Sequence, residues 1–178
     1  MTIRKALIQD IPHIVDVNTK TWRTTYSGII HERTLKRQEE FRLERIKSME
    51  DQLENMYIEG FKVQMAVLEE KGEILGFATY GALRVDEDFK RQETAEIYAI
   101  YILRDLQGKG SGRALFNYVV GDLKTHNKFK DMLIWTLKDN PSRKFYEKMG
   151  GYVAYERTIE IAGQSLDEVG YLFEDIFR

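Results

Sequence analysis

The stretch LQGKGSGRALF, Leu106–Phe116, sets glycines at 108, 110 and 112, flanks them with Lys109 and Arg113, and then enters a segment whose apolar residues recur at helical spacing. Ahead of it, TAEIYAIYIL (94–103) is apolar at almost every position and rich in Ile and Tyr, which predicts a strand buried on both faces. Behind it, Leu115, Phe116, Val119, Val120 and Leu123 keep the period of an amphipathic helix. The loop is therefore a strand-to-helix turn. Glycines permit positive φ and close backbone approach, successive N–H groups converge into an anion-binding nest, and the helix aims the positive end of its dipole at the same place. Two readings stand: a cradle for a phosphate or pyrophosphate, or a glycine turn that only tightens the connection. A dinucleotide fingerprint does not fit, because the sixth position counted from Gly108 is Arg113 and from Gly110 is Leu115. A P-loop does not fit either, because Gly108-Lys109 is followed by Gly110 rather than Ser or Thr.

Working outward, the N-terminal residues alternate as a short strand through Ile3 and turn at Asp10, an N-cap carboxylate, into a helix with Pro12 in its first turn. Residues 32–57 space Leu35, Phe41, Ile46, Met49 and Leu53 among dense opposite charges, which suits one or two amphipathic helices. Residues 61–83 read as a hairpin turning at Glu70–Gly72, and 84–93 as a charged loop. DMLIWTL (131–137) is another buried strand. NPSRKFYEKMGG (140–151) is a short helix with Asn140 at the N-cap, Pro141 at N1 and Gly150 as the stop, and two strands around AGQS follow. The order β-α-α-β-β-β-α-β-α-β-β predicts an α+β fold, a central twisted mixed sheet flanked by helices.

The 178 residues suit one domain, 1–178, because a chain of this length buries a real core and no linker or repeat divides it. With 27 basic and 29 acidic residues the net charge is −2, so nothing global argues for nucleic acid or an anionic membrane. The absence of cysteine removes disulfides, thiolate nucleophiles and Cys-based zinc sites. His13, His31 and His126 show no metal-ligand spacing, so no metal is expected. No apolar run approaches a membrane span and the start shows no signal-peptide core, which predicts a cytoplasmic protein.

Taken together, AEIYAIYILRDLQGKGSGRALF and NPSRKFYEKMGG resemble the GCN5-related N-acetyltransferase (GNAT) superfamily, in which Q/R-x-x-G-x-G/A after a central strand binds the pyrophosphate of acetyl-CoA. That pattern here is Gln107, Gly110 and Gly112. TWRTTYSGII (21–30) is similar to an N-terminal W-R-x-x-Y-x-G segment of many bacterial members. The chain departs from the pattern at RDLQ, where a proline often stands, and at Gly151, where an aromatic usually follows the glycine.

The resemblance implies an acetyl-CoA-dependent N-acetyltransferase whose acceptor is a primary amine of a small molecule or peptide. It implies that Ile100, Tyr101 and Ile102 splay from their neighbour to pair with the pantetheine arm, and that Gln107, Gly108, Lys109, Gly110, Ser111 and Gly112 hold the pyrophosphate. Asn140 is expected to contact the cofactor or to cap its helix, and Lys148 to reach the phosphates or stay solvated. Glu96, the acidic residue in the apolar strand, is expected either to take the amine proton through water or to be a strand-end surface carboxylate. Tyr146 stands where the family places the acid that protonates the leaving thiolate; the alternative is a core aromatic. Trp22 and Tyr26 line the acceptor side or pack at i, i+4; Tyr80 and Tyr98 are weaker candidates of the same kind. Without cysteine or a Ser-His pair, direct attack in a ternary complex is favoured over an acyl-enzyme. Rival functions are an acyl-CoA-binding or sensing module without turnover, and a protein- or peptide-specific acetyltransferase.

Overall fold

The computed structural model describes residues 1–84 and 91–178, so the centre of the expected 84–93 loop lies outside the described residues. Strand β1 (Thr2–Lys5) leads through a single 3-10 turn into helix α1 (Ile11–Tyr26), with Asp10 at its N-cap and proline in the first turn, as expected. The Asp10 carboxylate serves the approach to the helix rather than the helix itself. It accepts from the Leu7 N–H at 2.8 Å and from the Arg4 guanidinium at 2.6 and 3.0 Å. The amphipathic 32–57 segment divides at Phe41 into α2 (Glu32–Glu40) and α3 (Arg42–Asn55). A two-residue hairpin follows, β2 (Tyr57–Ile58) and β3 (Phe61–Lys62), too short to leave a periodic signal.

Strands β4 (Gln64–Glu70), β5 (Glu73–Ala82) and β6 (Thr94–Ile102) then run antiparallel, helix α4 (Ser111–Lys124) crosses back, and β7 (Asp131–Leu137) lies parallel to β6. Helix α5 (Arg143–Lys148) precedes the long hairpin of β8 (Tyr152–Ile161) and β9 (Gln164–Phe173). The seven main strands form one mixed sheet in the order β1-β4-β5-β6-β7-β9-β8. The fold is the expected α+β arrangement, a mixed sheet flanked by helices. The last strand is not at the edge: β9 inserts between β7 and β8 and pairs antiparallel with both.

Strand alternation sorts the core into two layers. Along β4, Met65 and Val67 face Ile11, Ile14 and Val15 of α1, whereas Ala66 and Leu68 face the other way. On that second face Leu115, Phe116, Val119 and Leu123 of α4 pack over Ala78, Tyr80 and Ile97. Among the described residues no helix is long and apolar enough to cross a membrane.

Two local features differ from the sequence reading, at α5 and β6, and the structure accounts for the Gly151 departure. The N-cap of α5 is Ser142, not Asn140, and the helix begins at Arg143 rather than Pro141. Asn140 instead closes an Asx turn, its side-chain oxygen accepting from the Ser142 N–H at 2.8 Å. Gly151 lacks a side chain because the Phe173 ring fills the space: a Cβ there would lie 2.5 Å from it. Finally, β6 is not buried on both faces throughout. The register of β5 and β6 pairs Thr79 with Ala99 and Tyr80 with Ile97, leaving Tyr98 as the extra residue of a bulge, and residues 98–101 are only partly buried.

Candidate active site

Strands β6 and β7 are parallel neighbours, but their register covers only Thr94–Glu96 opposite Asp131–Leu133. Beyond that point β6 runs on to Ile102 and β7 to Leu137, and a cavity of about 790 Å³ lies between the unpaired lengths. This explains the partial burial near the end of β6: Ile100 and Tyr101, with the buried Ile102, line open space where a neighbouring strand would otherwise sit.

One end of the cavity is the glycine loop. The Gln107 N–H is given to the Arg104 carbonyl and the Ala114 N–H to the Gly110 carbonyl; between them, no backbone N–H has a backbone acceptor among the described residues. The donors of residues 108–113 are therefore free at the head of α4, the arrangement that attracts an anion. Gly108 and Gly110 have φ of 74° and 90°, in the left-handed region that glycine adopts without strain. The Gln107 side chain ties the loop to the strand by donating to the Ile102 carbonyl at 3.0 Å. Gly112 faces α5, where a Cβ would stand 3.4 Å from the Phe145 ring. Arg104, Arg113 and Lys148 line the same end and make it cationic. Lys109 is exposed and outside the lining, and Ser111 is buried with its hydroxyl directed to the Met1 sulfur at 3.7 Å.

The middle and far end are aromatic. Tyr146 is 6 % exposed and lines the cavity, and burial pushes its phenol well above the ordinary tyrosine value. Tyr26 and Tyr101 line it too and are raised for the same reason. Trp22 is not in the lining; its indole N–H donates to the Tyr101 hydroxyl at 3.2 Å from behind, and its ring meets Tyr26 edge-on. Asn140 is buried, and its amide donates to Thr136 Oγ1 at 2.8 Å and to the Tyr26 hydroxyl at 3.4 Å. Tyr98 contributes to the wall, whereas Tyr80 is fully buried away from it, donating to Asp122 at 2.8 Å.

Glu96 is neither at the strand end nor in the lining. It is 1 % exposed, and both its oxygens are occupied by Arg84: the Arg84 main-chain N–H donates to Oε2 at 2.9 Å, and Nε and Nη2 donate to Oε1, the former at 3.0 Å. The same guanidinium lies 4.9 Å over the Tyr98 ring, so pair and ring form one block.

The acetyltransferase (GNAT) family matches residues 30–151. The chain belongs to the GNAT family. Over 176 residues, 99 % of this chain and 94 % of the relative, it is 34 % identical to YuaI of Bacillus subtilis (strain 168), described as an uncharacterized N-acetyltransferase. The fold is similar to that of smu.2055 from Streptococcus mutans UA159, with a TM-score of 0.71 and 20 % identity over 98 % of this chain and 99 % of that one. It is also similar to PaiA N-acetyltransferase from Thermoplasma acidophilum in complex with coenzyme A, with a TM-score of 0.67 and 18 % identity over 94 % and 96 % of the two chains. This GNAT chain is thus an N-acetyltransferase, and its reaction needs an amine acceptor.

The sequence reading missed the GNAT cavity's Thr136, Arg104 and Trp135. Thr136 had a signal, as a hydroxyl in an otherwise apolar buried strand four residues before Asn140. Arg104 and Trp135 had none that set them apart from other surface arginines and core aromatics.

Proposed function

We propose that the protein acetylates a primary amine of a small molecule or peptide by direct attack on acetyl-CoA in a ternary complex. The observation that carries this reading is the opening between β6 and β7, which joins the free N–H groups of residues 108–113 at one end to Tyr146 and the aromatic wall at the other. The loop residues fit a pyrophosphate: unpaired donors, glycines at positive φ and three flanking cations stand together there. Gln107 to Gly112 would bind it, with Lys109 acting as an exposed charge and Ser111 through its main chain. Ile100, Tyr101 and Ile102 would offer main-chain groups to an extended arm laid along β6, and the Ile102 N–H would polarise the thioester oxygen.

In the transfer a C–N bond forms and the C–S bond breaks; the amine loses a proton and the thiolate gains one. Tyr146 gives the second proton and takes one back from solvent, which balances the proton the amine releases. Burial keeps its phenol protonated throughout the working pH range, so it is always in donor form. Glu96 contributes by holding Arg84 against Tyr98, and the amine proton leaves to solvent. Tyr26 shapes the acceptor end directly and Trp22 through Tyr101.

The test is release of free CoA from acetyl-CoA with a panel of polyamines, aminoglycosides, amino acids and N-terminal peptides. Turnover with at least one amine is expected. Saturable acetyl-CoA binding with no CoA release from any member of the panel would show a binding module instead.

A further inference from the structure

Two phenols in the cavity lining, Tyr26 and Tyr101, have their oxygens engaged by groups that can only donate. The Trp22 indole N–H donates to the Tyr101 hydroxyl at 3.2 Å. The Asn140 amide nitrogen donates to the Tyr26 hydroxyl at 3.4 Å; the Ser142 main-chain N–H, 2.8 Å from Oδ1, fixes which end of that amide is the nitrogen. Neither an indole N–H nor an amide nitrogen can take a proton back. The phenols bring two protons to this group of four side chains, and one phenol can give its proton to the other, but the second proton then has no acceptor among them. Neighbouring hydroxyls of the lining have placed theirs: Thr21 donates to the Val17 carbonyl at 2.8 Å, Thr24 to the Lys20 carbonyl at 3.1 Å, and Tyr98 to the Ala82 carbonyl. The spare phenol proton is therefore offered to the cavity.

Strand alternation separates this pair from the cofactor's end. Along β6, Ile100 and Ile102 pack into the α4 layer, which also holds Tyr146, whereas Tyr101 packs with Trp22 and Tyr26 of α1 and with the Phe77 ring at 5.7 Å between centroids. The phenol pair borders the cavity on the α1 side of the sheet, away from the helix that the glycine loop opens. Among the described residues no carboxylate lines the cavity, while Arg104, Arg113 and Lys148 do. An incoming amine thus meets a proton donor and no anion. We propose that the acceptor is an amine that also carries a carboxylate or carbonyl oxygen, an amino acid or the N-terminal residue of a peptide, and that the hydroxyls of Tyr26 and Tyr101 hold that oxygen. Trp22 and Asn140 are positioning residues that fill the phenol oxygens from behind and leave a proton for the substrate. A polyamine would bring further ammonium groups and no oxygen to accept it. The inference rests on the reading of this cavity as the place where an amine attacks acetyl-CoA, and it narrows the amine.

The experiment starts from the amine that releases CoA fastest in the panel of polyamines, aminoglycosides, amino acids and N-terminal peptides. An amino acid or peptide is expected in that place, and a polyamine or aminoglycoside there overturns the proposal. The fastest acceptor is then compared with the bare amine of the same side chain, as leucine with isopentylamine or phenylalanine with phenethylamine, every rate being expressed per neutral amine because losing the carboxylate changes the amine's own basicity. The oxygen-bearing acceptor should exceed the bare amine at least ~10-fold in kcat/KM, and a ratio near one overturns the proposal. Leucinamide or phenylalaninamide distinguishes the sources: an acid faster than its amide marks a free amino acid, the reverse a peptide N-terminus. In Tyr26→Phe/Tyr101→Phe, which keeps both rings, the ratio should fall to within about 3-fold of one, with acetyl-CoA affinity by calorimetry within about 3-fold of the parent. An equal loss for both amines would make the hydroxyls structural, and a loss of acetyl-CoA affinity with the ratio retained would assign their proton to the cofactor; either result overturns the proposal. Should the double variant fail to fold, the parent's own ratio still decides. Release of CoA with no amine at all is a different failure, because it removes the transfer reading and this inference with it.

Discussion

Arg84 closes both oxygens of Glu96 from one side of the β5–β6 bulge, its main-chain N–H on Oε2 and its guanidinium on Oε1. A carboxylate so engaged has little capacity left to collect a proton from an amine. Glu96→Gln is therefore expected to act on stability, lowering Tm by a few degrees through loss of a charge-assisted contact worth about 1–3 kcal/mol, with kcat per folded molecule within about 3-fold of the parent. Thermal melts and active-site-normalised rates measure this. A loss of ~10-fold or more at unchanged Tm, largest where the amine is protonated, would instead make Glu96 the base acting through water.

The glycine loop can be tested without turnover. At Gly110 a Cβ would meet nothing within 4 Å, so the protein has room, but the φ of 90° strains any side chain, and Gly110 lines the cavity. Gly110→Val should cost about 1–2 kcal/mol of stability and weaken acetyl-CoA binding at least ~10-fold by calorimetry. Unchanged affinity would remove the loop from the binding site.

Acetyl-CoA should protect the parent protein against heat, and NAD and ATP should not. At a concentration about 100 times Kd the gain is about 2.7 kcal/mol, or roughly 5–10 °C for a chain of this size. A larger shift with NAD would return the loop to the dinucleotide reading that its spacing rejects.

Much of this site was legible in the sequence because its parts are local. A buried strand, three alternate glycines and an amphipathic helix occur in one run of residues, and each has a local physical cause. What was not legible joins distant segments. Glu96 stood out as an acid among apolar residues, but its partner Arg84 comes from across the bulge and looks like any other arginine. The register between β6 and β7 ends after three pairs, which no periodicity of either strand records. At the start of α5, Asn140 and Ser142 are both good capping residues; the Asx turn made by Asn140 moves the helix two residues on, and only the hydrogen bonds decide between them.

Acid should destabilise the protein through Asp10. The Arg4 guanidinium holds this carboxylate below its ordinary value of 3.8, with the Leu7 N–H adding to the effect against the opposing pull of burial. A depressed folded-state value means that the ionised form contributes stability above about pH 4, lost as pH falls through the folded-state value. Asp10→Asn should be less stable than the parent by about 1–2 kcal/mol at pH 7, with the gap closing towards pH 2. Denaturant melts across that range measure it; a gap independent of pH would mean that Asp10 acts by shape alone.

The insertion of β9 between β7 and β8 sets a timetable for a chain emerging from the ribosome. Strands β1, β4, β5 and β6 find their partners within the first 102 residues, whereas β7 has only three pairs with β6 until residues 164–173 arrive to flank it. At about 5–20 residues per second, that leaves β7 with its other edge bare for a few seconds. DMLIWTL is apolar and β-prone, the kind of segment that pairs with a stranger when left open. The cavity wall formed by β7 therefore waits on β9 for its second neighbour.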